Sequence, residues 1–138
     1  MNPTAHHYAV TVSDLDRAVA FYRDVLHLDV LTRFSVGGDA FAAGVGIDGA
    51  SAEFAHMDAG DARVELVEYT PEGDATAEHD LNQPGATHLG LAVDNLDFVY
   101  ESLPDDVETF AEPQTTESGT RILFLRDPDG TPVELLET

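Results

Sequence analysis

The sequence contains no cysteine. Disulfides, thiolate metal sites and cysteine nucleophiles are therefore excluded. It also lacks a long hydrophobic run: no apolar stretch approaches the roughly 18 residues of a membrane span, and nothing resembles a signal peptide. We therefore expect a cytoplasmic protein without a membrane partner.

Positive charge is scarce. The chain carries six basic residues, all of them Arg, against 27 acidic ones, for a formal net charge of -21. Such a charge repels nucleic acid and anionic membrane surfaces, so neither is an expected partner. The acidic residues are scattered along the chain, which favours a salt-adapted, halophilic surface over a disordered acidic tail.

A repeat organises the 138 residues, of which 43% are hydrophobic. The phrase "HHYAVTVSDLD" begins at His6 and returns as "THLGLAVDNLD" from Thr87, which aligns His7 with His88. Each half also closes on Val-Glu-Leu, at 64–66 and 133–135. This pattern predicts a duplicated half-domain, with modules at 1–74 and 86–138 and a Pro-, Gly- and acid-rich linker at 75–85.

Each half reads as a strand, a helix and about three strands, which predicts an α+β fold. The predicted helices are "SDLDRAVAFYRDVL", with Ser13 or Asp14 as N-cap, and "NLDFVYESL". A hairpin turn is expected at 127–130, where the sequence is Asp-Pro-Asp-Gly. The predicted strands are "HYAVTV", "DVLTRFSV", "AFAAGVGI", "SAEFAHM" and "ARVELVEY", then "THLGLAV", "VETF", "TRILFLRD" and "TPVELLE".

The two strands that begin with histidine have contrasting faces, because successive side chains in a strand point to opposite sides. His7 shares its face with Ala9 and Thr11, and His88 shares its face with Gly90 and Ala92. The other faces are apolar and suit packing against helices. Each histidine thus stands beside small side chains that leave space.

Glu65 and Glu134 occupy the middle of two other strands, flanked by apolar residues that must point the other way. A carboxylate in such a position needs a partner, since burying an unpaired charge costs several kcal/mol. Two imidazoles and two carboxylates suit Zn, Ni, Co, Mn or Fe(II), with room left for water or substrate. A single strand His or Glu is usually structural, but the symmetric recurrence favours a divalent-metal site.

These motifs resemble the vicinal oxygen chelate superfamily, which includes glyoxalase I, methylmalonyl-CoA epimerase, extradiol dioxygenases and bleomycin- and fosfomycin-resistance proteins. The resemblance is carried by "HYAVTVSDLDRAVAFYRDVLHLDV", "THLGLAVDNLD" and "FLRDPDGTPVELLE" and extends over nearly the whole chain. It implies two βαβββ modules whose cupped sheets surround a metal, with His7, Glu65, His88 and Glu134 as ligands. One departure is His27, where the family usually has a glycine that ends the helix.

The ligand set is most similar to that of short glyoxalase I, a lactoylglutathione lyase. This similarity implies a lyase or isomerase that moves a proton next to a carbonyl through a metal-bound enediolate. The resemblance assigns the base to Glu134, with Glu65 as second candidate. The expected metal is Ni, Co, Mn or Zn, and Fe(II) for a dioxygenase. The alternatives are an epimerase-like isomerase, an extradiol dioxygenase and a binding or resistance protein without turnover.

Several other residues are weaker candidates. His6 is expected to be exposed and opposite His7, His79 falls in the linker, and His56 lies on the strand before that of Glu65. Arg33, Arg63 and Arg121 are candidates to hold a carboxylate of a small-molecule substrate. A C₂ homodimer would pair otherwise exposed sheet edges, so we expect a homodimer.

Overall fold

A computed structural model of the chain describes residues 1–76 and 80–138. The chain separates into two compact units, Met1–Thr76 and Ala77–Thr138. Residues 77–79, which include the linker candidate His79, lie outside the described residues. The finer division at 1–74, 75–85 and 86–138 stays a prediction.

The first unit contains one four-stranded sheet. Its strands follow the order β1-β4-β3-β2, with β1 parallel to β4 and the other neighbours antiparallel. Its elements are β1 (His7–Thr11), α1 (Leu15–Asp24), β2 (Val30–Val36), α2 (Asp39–Val45), β3 (Ser51–Asp58) and β4 (Arg63–Thr70).

The second unit repeats this topology in a sheet of order β5-β8-β7-β6, again with one parallel pair, β5 with β8. Its elements are β5 (Leu89–Ala92), α3 (Leu96–Ser102), β6 (Gln114–Thr115), β7 (Arg121–Arg126) and β8 (Pro132–Glu137). Two matching sheets with few helices confirm the predicted α+β fold of two modules. The predicted strand at 107–110 is wrong, because only Thr109 forms an isolated bridge, to Leu125.

The expected strand at 40–47 is a second correction, since most of this segment forms helix α2. The residues Ala40, Ala42 and Ala43 favour a helix, and Gly46 closes it in the left-handed conformation at φ 72°. The ring of Phe41 then packs against Phe54 and Tyr69. This tertiary packing outweighs the alternation that suggested a strand.

Helix α1 forms where the sequence predicts it. Asp14 is the N-cap, and its carboxylate accepts a hydrogen bond from the backbone N–H of Arg17. The buried stripe of α1 includes Ala18 and Tyr22, and the helix packs against β3 and β4. The sheet side of this core includes Leu66, which is fully buried, so Leu66→Ala should cost about 2–5 kcal/mol.

Two local turns also agree with the sequence. The 127–130 turn closes with Gly130 N–H donating to the carbonyl of Asp127. His27, where a glycine was expected from the resemblance, takes a positive φ of 59°.

None of the helices in the described part of the chain has the length and apolar character needed to span a bilayer.

Candidate functional site

The first His–Glu pair lies on the face of the sheet opposite the buried residues Val64 and Leu66. Alternation along β4 places Glu65 on this face, and the parallel register sets it beside Ala9 of β1. His7, two residues before Ala9, brings its Nε2 to 3.7 Å from Glu65 Oε1. His7 and Glu65 are therefore brought close together within one unit.

His56, one of the weaker candidates from the sequence, forms a cluster with His7 and Glu65. The antiparallel register of β3 and β4 places it directly opposite Glu65, and its Nε2 lies 2.7 Å from Glu65 Oε2. Its ring stacks against that of His7 with centroids 6.1 Å apart. With a side chain only 8% exposed, His56 is the most buried member of the cluster. Its contact depends on strand pairing, which alternation alone does not specify.

Arg63 determines which nitrogen of His56 carries the proton. Its Nη1 lies 3.2 Å from His56 Nδ1. A guanidinium has only donors, so Nδ1 must accept and the ring proton must sit on Nε2. The Nε2–H then donates to Glu65 Oε2. His56 therefore has no free lone pair toward Glu65, and it is a hydrogen-bond donor there and not a metal ligand.

The second His–Glu pair lies at the corresponding place in the second unit. His88 Nε2 is 3.1 Å from Glu134 Oε2. The register aligns Glu134 with Gly90 on one side and with Phe124 on the other. A Cβ on Gly90 would lie 3.7 Å from Glu134 Oε2, so this glycine keeps space beside the carboxylate.

The two pairs differ in the residue across the strand. Glu65 faces a donor, His56, whereas Glu134 faces the ring of Phe124, which has no hydrogen-bonding group. Phe124 contacts the ring of His88 edge-on at 5.0 Å. Glu65 is accordingly hydrogen-bonded at Oε2 by His56, while Glu134 is hydrogen-bonded at Oε2 by His88.

The arginine candidates lie on different faces of their sheets. Arg33 pairs with Asp16 of α1 at 2.7 Å, and Arg121 pairs with Asp97 of α3, so both lie on the helix side of their sheets. Arg63 does lie at the candidate site. Sequence reasoning missed Arg126, which shares the Glu134 face by alternation along β7 and β8. Its guanidinium lies 4.5 Å from the centre of the Phe110 ring.

The position of His6 differs from the expectation. It is exposed, as predicted, but its Nδ1 lies 2.8 Å from Nδ1 of His7. His6 precedes β1, so strand alternation does not place it opposite His7.

The donor chemistry of the two pairs suits a divalent metal. Each pair supplies one imidazole nitrogen and one carboxylate oxygen, the donors that Zn, Ni, Co and Mn accept. Within residues 1–76 and 80–138, three or more His, Asp or Glu do not come together in a geometry that holds a metal ion.

The chain matches the family model described as the Glyoxalase/Bleomycin resistance protein/Dioxygenase superfamily over residues 4–135. This match covers both modules and both His–Glu pairs, and the chain belongs to this superfamily. It is 27% identical over 134 residues to a probable lactoylglutathione lyase of Synechocystis sp., covering 96% of this chain and 93% of the relative.

Two solved structures show the same fold. A glyoxalase family protein from Bacillus cereus superposes with a TM-score of 0.82 at 24% identity, covering 96% of this chain and 91% of that chain. The trypanothione-dependent glyoxalase I of Leishmania major has a TM-score of 0.66 at 24% identity, covering 99% of this chain and 87% of that one.

Proposed function

We propose that the protein is a metal-dependent, glyoxalase I-like lyase or isomerase acting on a small-molecule substrate. The observation that carries this proposal is the recurrence of a close His–Glu pair at the same place in two matching sheets. His7 with Glu65 and His88 with Glu134 are the proposed ligands. Membership of the superfamily and the similarity to a probable lactoylglutathione lyase support the same reaction class.

The proposed reaction moves a proton from a carbon next to a carbonyl to the carbonyl carbon itself. A divalent metal bound by the four ligands would polarise the substrate oxygens and stabilise the negative charge that develops on them. The chain itself must supply a carboxylate that takes the proton from one carbon and returns it to the neighbouring one. Glu134 and Glu65 are the groups in the proposed site that can do this.

The surroundings of the two carboxylates favour Glu134 as the base. A proton carrier must move between positions, and Glu134 stands between Gly90, which leaves space, and Phe124, which offers no hydrogen bond. Glu65 is fixed at one oxygen by His56 and faces His7 with the other. We therefore assign Glu65 as a constant ligand and Glu134 as ligand and base.

Turnover of a methylglyoxal–thiol adduct tests this proposal. Protein purified in high salt is stripped with a chelator and reloaded with Ni, Co, Mn or Zn. We expect activity to vanish on stripping, to return with metal, and to fall about 100-fold or more in Glu134→Gln. Absence of turnover with every metal and thiol tried, despite metal binding, would reject the lyase.

Absence of turnover would favour a binding or resistance protein of the same family, the principal alternative. An epimerase-like isomerase would instead exchange a substrate proton with solvent. A dioxygenase would consume oxygen with Fe(II) bound by two histidines and one carboxylate. The second carboxylate of the proposed ligand set, Glu65, is one more than such a triad needs, which favours the lyase.

We also propose a homodimer, with each metal site built either in one chain or from modules of two chains. The exposed edge strands of the two sheets support association, because unpaired edges attract other strands. In a C₂ dimer with shared sites, His7 and Glu65 of one protomer would meet His88 and Glu134 of its partner.

A further inference from the structure

We propose that His56 is a positioning residue that orients Glu65 for metal binding. The inference rests on the proposed metal site and adds to it a residue outside the four ligands. Its Nε2–H holds Glu65 Oε2, which leaves Oε1 directed toward His7.

The direction of this hydrogen bond follows from the chain of contacts. Arg63 Nη1 donates to His56 Nδ1 at 3.2 Å, so the ring must donate through Nε2, at 2.7 Å, to Glu65. A bond to a carboxylate is charge-assisted and is stronger than a bond between neutral groups. The two oxygens of Glu65 are therefore not equivalent: Oε2 is occupied and Oε1 is available to a metal.

The ring that donates this bond is itself held in place. His56 lies on β3, an interior strand of its sheet, and only 6% of the surface of His56 is exposed. The ring of Phe34 meets it edge-on at 5.1 Å, and that of His7 stacks on it at 6.1 Å. A fixed donor restricts the rotamers of Glu65 before any ion arrives, so less conformational entropy is lost on binding.

Such supporting hydrogen bonds measurably affect metal sites, because removing a partner of a ligand typically weakens metal binding about 10–100-fold. The second unit provides the contrasting arrangement within the same chain. There, Phe124 occupies the position of His56, and the corresponding carboxylate has no donor across the strand. The first unit thus has a hydrogen-bond donor opposite its carboxylate, and the second unit has a phenylalanine there.

Two substitutions separate the donor from the bulk of the ring. His56→Phe keeps an aromatic ring and removes the donor, reproducing the second unit. His56→Gln restores an N–H donor at about the same distance from the backbone. Binding of Co²⁺ to full-length protein in molar KCl is measured by calorimetry and by the visible spectrum, and circular dichroism melts verify that each variant folds.

We expect His56→Phe to bind Co²⁺ about 10–100-fold more weakly than wild type and His56→Gln to recover most of the loss. Equal affinity of His56→Phe and wild type would overturn the inference, as would a glutamine variant no better than the phenylalanine one. Failure of wild type to bind Co²⁺ would instead reject the metal site itself, and His56 would then have no ligand to position. Normal Co²⁺ binding without turnover would reject the lyase alone.

Discussion

Replacing His27 by glycine should stabilise the protein. His27 follows α1 with φ 59°, the only residue other than glycine with a positive φ in the described residues. A side chain in the left-handed conformation costs roughly 1–2 kcal/mol. Glycine removes this strain but gives the unfolded chain more freedom, which costs roughly 0.5–1 kcal/mol. The net gain is about 0.5–1 kcal/mol, and for a chain of this size it raises the Tm by about 2–4 °C.

Thermal and urea unfolding measure this gain. Asp29→Gly is the matched control two residues along the same loop. Its φ lies outside the left-handed region, so in molar KCl, where the effect of the lost charge is screened, glycine there should destabilise by up to about 1 kcal/mol. An unchanged or lowered Tm for His27→Gly, or a gain equal to that of the control, would refute the reasoning.

Further predictions concern the surface, the site and the assembly. The melting temperature should rise with KCl into the molar range, and a flat or falling curve would contradict a salt-adapted surface. The hydrogen bond from Arg23 lowers the pKa of the Asp24 carboxyl, so Arg23→Gln should raise it in an NMR titration, and an unchanged value would refute this. Gly90→Val should fold with a similar Tm yet lose turnover about tenfold or more, because its branches fill the space beside Glu134; wild-type turnover would contradict that role. For sites shared across a dimer, mixing inactive His7→Ala and Glu134→Ala proteins should restore activity, and failure despite demonstrated subunit exchange would place all ligands in one chain.

Much of the fold follows from periodicity and repetition. Alternation identified the strands that contain His7, Glu65 and Glu134 and the strand that follows His88, because a two-residue period also fixes which side chains share a face. The start of α1 was predictable for a similar local reason, with Ser13 or Asp14 as N-cap, and the structure shows Asp14. Features that depend on neighbours in sequence were therefore predictable.

Features that depend on contacts between distant parts of the chain could not be predicted from the sequence. The register that sets His56 opposite Glu65 depends on the turn between β3 and β4, and alternation within a strand does not specify this register. The alternation at 40–47 predicts a strand where the structure has α2, because the packing of Phe41 against Tyr69 is a tertiary contact that no local pattern shows. The direction of Arg63 toward His56 likewise became visible only with the sheet assembled.

We propose above that His7, Glu65, His88 and Glu134 bind a single ion. Elemental analysis of metal-reconstituted protein tests it most directly, in wild type, His7→Ala and His88→Ala. One shared site predicts about one ion per chain in wild type and near-complete loss in either variant, because each removes a ligand of the same ion. Absence of metal from reconstituted wild type, or retention of half the metal in each variant, would contradict the claim.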